Sequence, residues 1–281
     1  MGSIDRIGPM KLAERATDAL SSPPSADRSG TQSLTKAIRL MRAIAARPEF
    51  GWRLSDLSAA CGMDKATVHR MLSCMVEERL VRQRSSDRHY LPGPFMFELG
   101  LALPDALHFQ RAAETSVNAF AKRMGGLALL QYRSGNEYVC SLRAGTLQLA
   151  GMMVYPGTRR PLFSAAGGVA ILQTLPADEV RGILAENVAG EIGRHGTVRL
   201  ASLQKMYDRS SEHGWGVNLG DVVPGVHAFG IAITNEAGEA FAALSLVGTA
   251  ELYPAARLEQ VHQEMQLAAD ALSADARKFN M

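Results

Sequence analysis

The stretch Arg53–Leu91, RLSDLSAACGMDKATVHRMLSCMVEERLVRQRSSDRHYL, constrains this chain more than any other. Leu54, Leu57 and Ala60 recur at helical spacing, and Gly62 then interrupts the pattern. Asp64 follows as a helix cap, because its carboxylate accepts the free amide hydrogens of the next turn. Val68, Met71, Leu72, Met75 and Val76 form the apolar stripe of a second helix, and Lys65, Ala66, His69 and Arg70 fall off that stripe at its leading end. Leu80–Arg84 and Arg88–Leu91 alternate like two strands around Ser85-Ser86-Asp87, with basic residues near the tip. Two helices joined through a glycine turn, the second basic at its front and followed by a hairpin, predict a winged helix-turn-helix. A helical hairpin with a merely solvated polar face is the plain alternative. The cap, turn glycine, basic front and hairpin, met in that order, favour DNA binding.

Charge distribution points the same way. Residues 31–93 hold 11 Lys/Arg against 6 Asp/Glu, whereas residues 94–281 hold 15 against 18 and the first 30 hold 4 against 4. A basic module beside a mildly acidic remainder is what attraction to phosphate in one domain requires. At 281 residues the chain is long enough for two domains. Cys61, Cys74 and Cys140 lack CxxC spacing; Cys61 and Cys74 lie within apolar patterns and are expected as buried thiols. No basic-then-apolar leader opens the chain and no apolar run approaches ~20 residues, so a cytoplasmic protein without membrane contact is expected.

Residues 1–30 end in the Ser/Pro/Gly-rich run SSPPSADRSG and are expected to be a disordered tail. Leu34, Ile38, Met41, Ile44 and Ala45 predict an amphipathic helix, ended by Pro48, that packs behind the helix-turn-helix pair. Residues 31–93 are thus the DNA-binding domain, residues 94–110 a linker helix, and residues 111–281 a second domain. The apolar helix after the wing suits both a dimer contact and packing on the C-terminal part. Beyond it, strands are expected at Leu127–Tyr132, Glu137–Arg143, Leu147–Val154, Gly214–Leu219, Val226–Thr234 and Ala240–Val247, among helices at Ser164–Leu175, Ala177–Glu186, Leu200–His213 and Pro254–Lys278. Hairpin-linked strands with helices grouped around them predict an α+β domain over an antiparallel sheet.

The order of these parts resembles the IclR family of bacterial transcriptional regulators. The residues that carry the resemblance are Thr31–Leu34, Gly62–Leu72 and Arg88–Leu91, then Arg159–Gly168, Gly214–Asn218 and Val223–Val226. It implies a GAF-like effector-binding domain, a homodimer or dimer of dimers, operators with inverted half-sites, and a repressor or activator responding to a small organic or aromatic acid. Carried over by position, the effector site takes in Met152, Met153 and Tyr155, the helix start Phe163, Ser164, Ala165, Ala166, Gly167 and Gly168, and the sheet positions Asn218, Ala228, Ser245 and Val247. Trp215 suits either stacking on a ring or a structural role. Where many members carry a His before the small-residue run and a Lys after it, this chain has Phe163 and Val169, which favours an aromatic carboxylate or a neutral apolar effector.

Major-groove readout needs donors and acceptors at the front of an inserted helix, so Thr67, His69 and Arg70 are the candidates for base edges. Lys65 and Ser33 suit phosphates; Arg84, Arg88 and His89 suit the backbone or minor groove; Arg53, Ser55 and Ala66 complete the DNA-facing set. No HExxH, GxSxG or P-loop occurs, and the seven histidines lack metal-ligand spacing, so no catalytic residue, metal or cofactor is expected. The rival readings are an enzyme with an accessory DNA-binding domain and an architectural DNA binder without effector.

Overall fold

The computed structural model describes residues 31–149 and 154–281, so the expected tail at residues 1–30 and the pair Met152 and Met153 lie outside the described residues. The chain divides into two compact units, one reaching to Leu107 and the other beginning at His108.

The N-terminal unit runs α1 (Gln32–Ala45), α2 (Leu54–Cys61), α3 (Lys65–Glu77), β1 (Val81–Gln83), β2 (Tyr90–Pro92) and α4 (Pro94–Leu101), then enters α5 (Pro104–Met124). Gly62 ends α2 in the left-handed region at φ 61°, a conformation that favours glycine. Leu40, Ile44, Leu57, Cys61, Val68, Leu72, Met75, Val81 and Tyr90 form one buried cluster behind α3. Trp52 ties the wing to this core: its backbone pairs with Tyr90, and its indole N–H donates to the Ala43 carbonyl at 2.8 Å.

Three expectations change here. The buried side of α1 is Leu40 and Ile44, whereas Leu34 and Ile38 are exposed. Of the expected stripe, Ile44 is buried and Met41 packs against the core, while its N-terminal members stay outside because α1 carries apolar residues on more than its core side. Cys74 is exposed rather than buried, beyond the edge of the α3 stripe. The expected linker helix over residues 94–110 is two helices, broken at Ala102 and Leu103 before Pro104, which opens α5.

The C-terminal unit is built on β3 (Leu127–Ser134), β4 (Glu137–Ala144), β5 (Arg159–Pro161), β6 (Gly216–Leu219), β7 (Val226–Thr234) and β8 (Ala240–Thr249). They form a six-stranded antiparallel sheet in the order β5-β4-β3-β8-β7-β6. Alternation along the strands gives the sheet two different faces. Ala128, Leu130, Val217, Phe229, Ile231, Leu244 and Leu246 point to a core shared with α5 and α9 (Leu258–Lys278), which contribute Phe109, Val117, Phe120, Val261, Met265 and Leu272. The opposite face meets α6 (Ala166–Leu172), α7 (Ala177–His195) and α8 (Leu200–His213). The expected strand at Leu147–Val154 is not found: its described residues, 147–149 and 154, are irregular, and the edge strand is Arg159–Pro161 instead.

Candidate DNA-reading helix and effector face

Asp64 caps α3 as anticipated, its carboxylate accepting the Thr67 N–H at 2.8 Å. Hydrogen bonds from Thr67 hold the Asp64 carboxyl below the usual carboxylate range. With Val68, Leu72 and Met75 turned into the core, Lys65, Ala66, His69 and Arg70 stand exposed on the outer front of α3, and Thr67 is half-buried. Ser33, Arg53 and Ser55 are exposed as well. Ser55 donates to its neighbour Asp56 at 3.0 Å.

The wing treats its charges differently. The Arg84 guanidinium takes both oxygens of Asp87, at 2.9 and 2.7 Å, and donates to the Phe50 carbonyl at 3.0 Å. Its side chain holds the turn together rather than reaching outward. The His89 ring nitrogen lies 2.9 Å from an Asp87 oxygen, and its side chain is only 19% exposed. Arg84 and its bonds to Asp87 hold that carboxyl far below the usual range. Arg88, at φ 61° on the turn, remains exposed.

On the C-terminal sheet the register sets the site. One row across the α6 face runs Arg143, Leu129, Ser245, Gly230, Gly216, and the next runs Leu127, Val247, Ala228, Asn218. The structure therefore brings Asn218, Ala228, Ser245 and Val247 onto one face of the sheet. Leu127, Leu129, Cys140, Val154 and Val247 make an apolar cluster there, with Leu147, Leu149, Val226 and Ala228 against it. Ser245 donates to the Gln131 side-chain oxygen at 2.7 Å, a buried polar pair at the border of this cluster.

The small-residue run serves packing. A Cβ on Gly167 would strike Gln131 and Ser245, one on Gly216 would strike the Ala166 carbonyl, and one on Gly168 would strike the Leu162 carbonyl. A Cβ on Gly230 would come within 2.5 Å of Gly167 Cα. The run from Ala165 to Gly168 thus lets α6 lie backbone-to-backbone on β6 and β7. Phe163 turns the other way, into the core between α6, α7 and α8, with its ring 6.3 Å from Tyr207. Its N–H donates to Asn187 Oδ1 at 3.1 Å. Ser164 closes a local turn by donating to the Pro161 carbonyl at 2.7 Å.

Trp215 lies on the opposite face of the sheet, stacked at 5.7 Å on Phe229 and 4.6 Å on His262 within the α5/α9 core. It is a structural aromatic and leaves the effector set. Asn218 is buried and shapes the β6–β7 connection, accepting the Asp221 N–H at 2.8 Å. Asp221 is held in turn by Arg209 at 3.1 Å; burial opposes its ionisation, but the guanidinium outweighs this and keeps the carboxyl below its usual range.

Sequence reasoning missed Arg143, Cys140 and Gln131. The register of β3 and β4 slips between Leu130 and Gln131, so Cys140 pairs with Gln131 while Arg143 pairs with Leu129. This bulge sets Cys140 and Arg143 on the same face. The Arg143 guanidinium sits 4.9 Å from the centre of the Tyr155 ring, which keeps Tyr155 at the site. The available signal was an arginine within the apolar run of β4.

Among the described residues no helix is long and apolar enough to cross a membrane, and no group of three or more His, Cys, Asp or Glu side chains suits a metal ion. The IclR helix-turn-helix domain matches residues 33–85, and the bacterial transcriptional regulator IclR C-terminal domain matches residues 103–274. The chain is 24% identical over 242 residues to the HTH-type transcriptional regulator KipR of Bacillus subtilis, covering 86% of this chain and 96% of that one. It is 26% identical over 237 residues to the HTH-type transcriptional repressor AllR of Salmonella typhi, covering 84% and 85%. Its fold is similar to that of an IclR family transcriptional regulator from Brucella abortus, with TM-score 0.68, 18% identity, and coverage of 90% and 95%. It is similar also to an IclR homolog from Microbacterium hydrocarbonoxydans complexed with 4-hydroxybenzoate, with TM-score 0.64, 19% identity, and coverage of 87% and 99%. An exposed, capped basic helix front followed by a wing, joined in sequence to a six-stranded sheet unit and matched by both family domains, makes this chain a member of the IclR family of bacterial transcriptional regulators.

Proposed function

We propose that the chain binds a specific operator through the front of α3, and that a small organic acid on the α6 face of the C-terminal sheet sets operator occupancy. The observation that carries the reading is the outward front of α3, where Lys65, His69 and Arg70 are exposed around a filled cap. In this reading Arg70 takes a paired contact to guanine, Thr67 and His69 reach neighbouring base edges, and Lys65 and Ser33 hold phosphates. Arg53, Ser55 and Ala66 border the DNA. Arg88 supplies the wing's phosphate contact, while Arg84 and His89 shape the wing. Residues 31–93 form the DNA-binding domain and 111–281 the effector domain, with 94–110 linking them.

The effector reading is supported by the apolar cluster of Leu127, Leu129, Val154 and Val247 beside the polar pair Ser245 and Gln131. The 4-hydroxybenzoate complex of the similarly folded Microbacterium hydrocarbonoxydans protein is a further support for an aromatic acid. Phe97, Leu99 and Leu101 on α4 are exposed, with Leu103 just beyond it, a set suited to a homodimer contact that would pair two copies of α3 on inverted half-sites. A ligand changes occupancy only by its differential affinity for two arrangements of such a pair.

Fluorescence anisotropy with labelled duplexes from the region upstream of the gene tests the reading. Binding should weaken steeply with salt, prefer one sequence over scrambled DNA, and shift on titration with aromatic acids. Association insensitive to salt defeats the DNA-binding reading. Occupancy unmoved by every small acid defeats the effector reading alone.

A further inference from the structure

Among the described residues on the α6 face of the sheet, half-buried Arg143 keeps a donor that the packing leaves unanswered. Its Nε is buried and donates to no acceptor among the described residues. Guanidinium is charged at any pH the protein meets, and an enclosed donor without an acceptor is destabilising. No ion pair to a carboxylate is found for it among the described residues. Leu129 is its strand partner, and the Tyr155 ring covers the guanidinium. Cys140 faces the same way, but burial pushes its thiol up to about 12, so it stays neutral.

Such an arginine suits an anion that arrives from solution. A planar carboxylate matches the guanidinium fork, and two parallel hydrogen bonds fix its orientation as well as its charge. The surfaces beside it are apolar: Leu127, Leu129, Val154 and Val247. Ser245 lies two strands from Arg143 in the same row, about 10 Å backbone to backbone at ~4.8 Å per strand, with Leu129 between them.

We propose that Arg143 is the residue that recognises the effector's carboxylate, holding an aromatic acid with its ring over Leu129 toward Ser245. This rests on the effector reading above and assigns the charge-recognising group within that site. It also gives the ligand class a reason: the acid satisfies a donor that the fold itself does not.

Thermal unfolding of the full-length protein, with benzoate and benzamide as probes, tests this in wild type, Arg143→Met and Arg143→Lys. Benzoate should raise the wild-type midpoint, with benzamide at least about tenfold weaker, the factor that a single lost charge-assisted bond of ~1.4 kcal/mol produces. Without ligand, Arg143→Met should unfold at the wild-type midpoint or higher, because methionine fills a similar length without an unpaired donor. Its benzoate response should vanish, and Arg143→Lys should recover part of it. A ligand-free midpoint several degrees lower in Arg143→Met would make the residue structural and overturn the proposal. So would a benzoate response retained in that variant, benzamide binding as tightly as benzoate, or no wild-type response to either. If one of these results appears while other small molecules still move wild-type operator occupancy, the Arg143 assignment falls and the effector reading stands.

Discussion

The front of α3 and the α6 face of the C-terminal sheet handle polar groups in opposite ways. On α3 the cations are exposed and the apolar side chains are turned inward, so Lys65 and Arg70 remain hydrated until something displaces the water. On the sheet, polar groups are enclosed among apolar ones: Ser245 is satisfied by Gln131, and Arg143 Nε by nothing among the described residues. The contrast is between charges left in water and polar groups set among apolar side chains. Electrostatics in the first is long-range and screened by salt, and in the second short-range and specific. Substitutions where α6 rests on the sheet should therefore act on stability, and those on the front of α3 on binding.

The largest effect is expected at the glycine contact of the sheet face. Gly230→Val places atoms where the backbone of Gly167 and Ala166 already lies, and should cost about 3 kcal/mol or more, read as a lowered midpoint in denaturant unfolding. A stable Gly230→Val protein would mean that α6 is not seated on the sheet in this way. Next comes Arg70→Ala, which should weaken specific operator binding by ~1–3 kcal/mol while leaving the unfolding midpoint unchanged. Unaltered discrimination between operator and scrambled duplex would remove Arg70 from the base-reading role. Smaller still is the effect of acid. Asp221 ionises more readily in the folded than in the unfolded chain, so its contribution is full above the unfolded value near 4 and is lost as pH falls through the lower folded one. Asp221→Asn should flatten that part of the stability–pH curve, and an unchanged curve would show that Arg209 does not hold it. The smallest effect sharpens the comparison rather than testing it: Lys65→Gln should reduce the slope of log affinity against log salt by about 1, equally for all sequences. In the wing, Arg84→Ala should loosen the turn and lower protease resistance there, with little change in that salt slope, since its charge is already matched by Asp87.

What the sequence made legible is local. Asp64 as a cap, Gly62 as a left-handed stop and the inward turn of Val68, Leu72 and Met75 depend on residues within a few positions of one another and appear as expected, whereas Val76 at the end of the expected stripe is exposed. Leu34 and Ile38 were misplaced because α1 has apolar residues on two sides, and only the position of α2 and α3 decides which side is buried. The sheet face was legible in its members but not in its polarity. Trp215 and Asn218 lie three apart on adjoining extended chain, so period-two alternation alone puts them on opposite faces. Arg143 was visible as an arginine in the apolar run of β4, but the face it takes was not. Its orientation depends on the bulge against β3, a pairing of residues that no local pattern announces.

The bare-backbone seam between α6 and the sheet has a consequence for how this sensor can diversify. Where Gly167, Gly216 and Gly230 touch backbone, there is no side chain to exchange and none can be added, so that part of the sheet face is closed to adaptation. On the effector reading proposed above, a different ligand is accommodated beside the seam, by trading sizes among Leu127, Leu129, Cys140 and Val247. A library of volume-conserving exchanges at those four positions should yield altered ligand preference with folding retained, whereas one spread over the glycines should yield mostly insoluble protein.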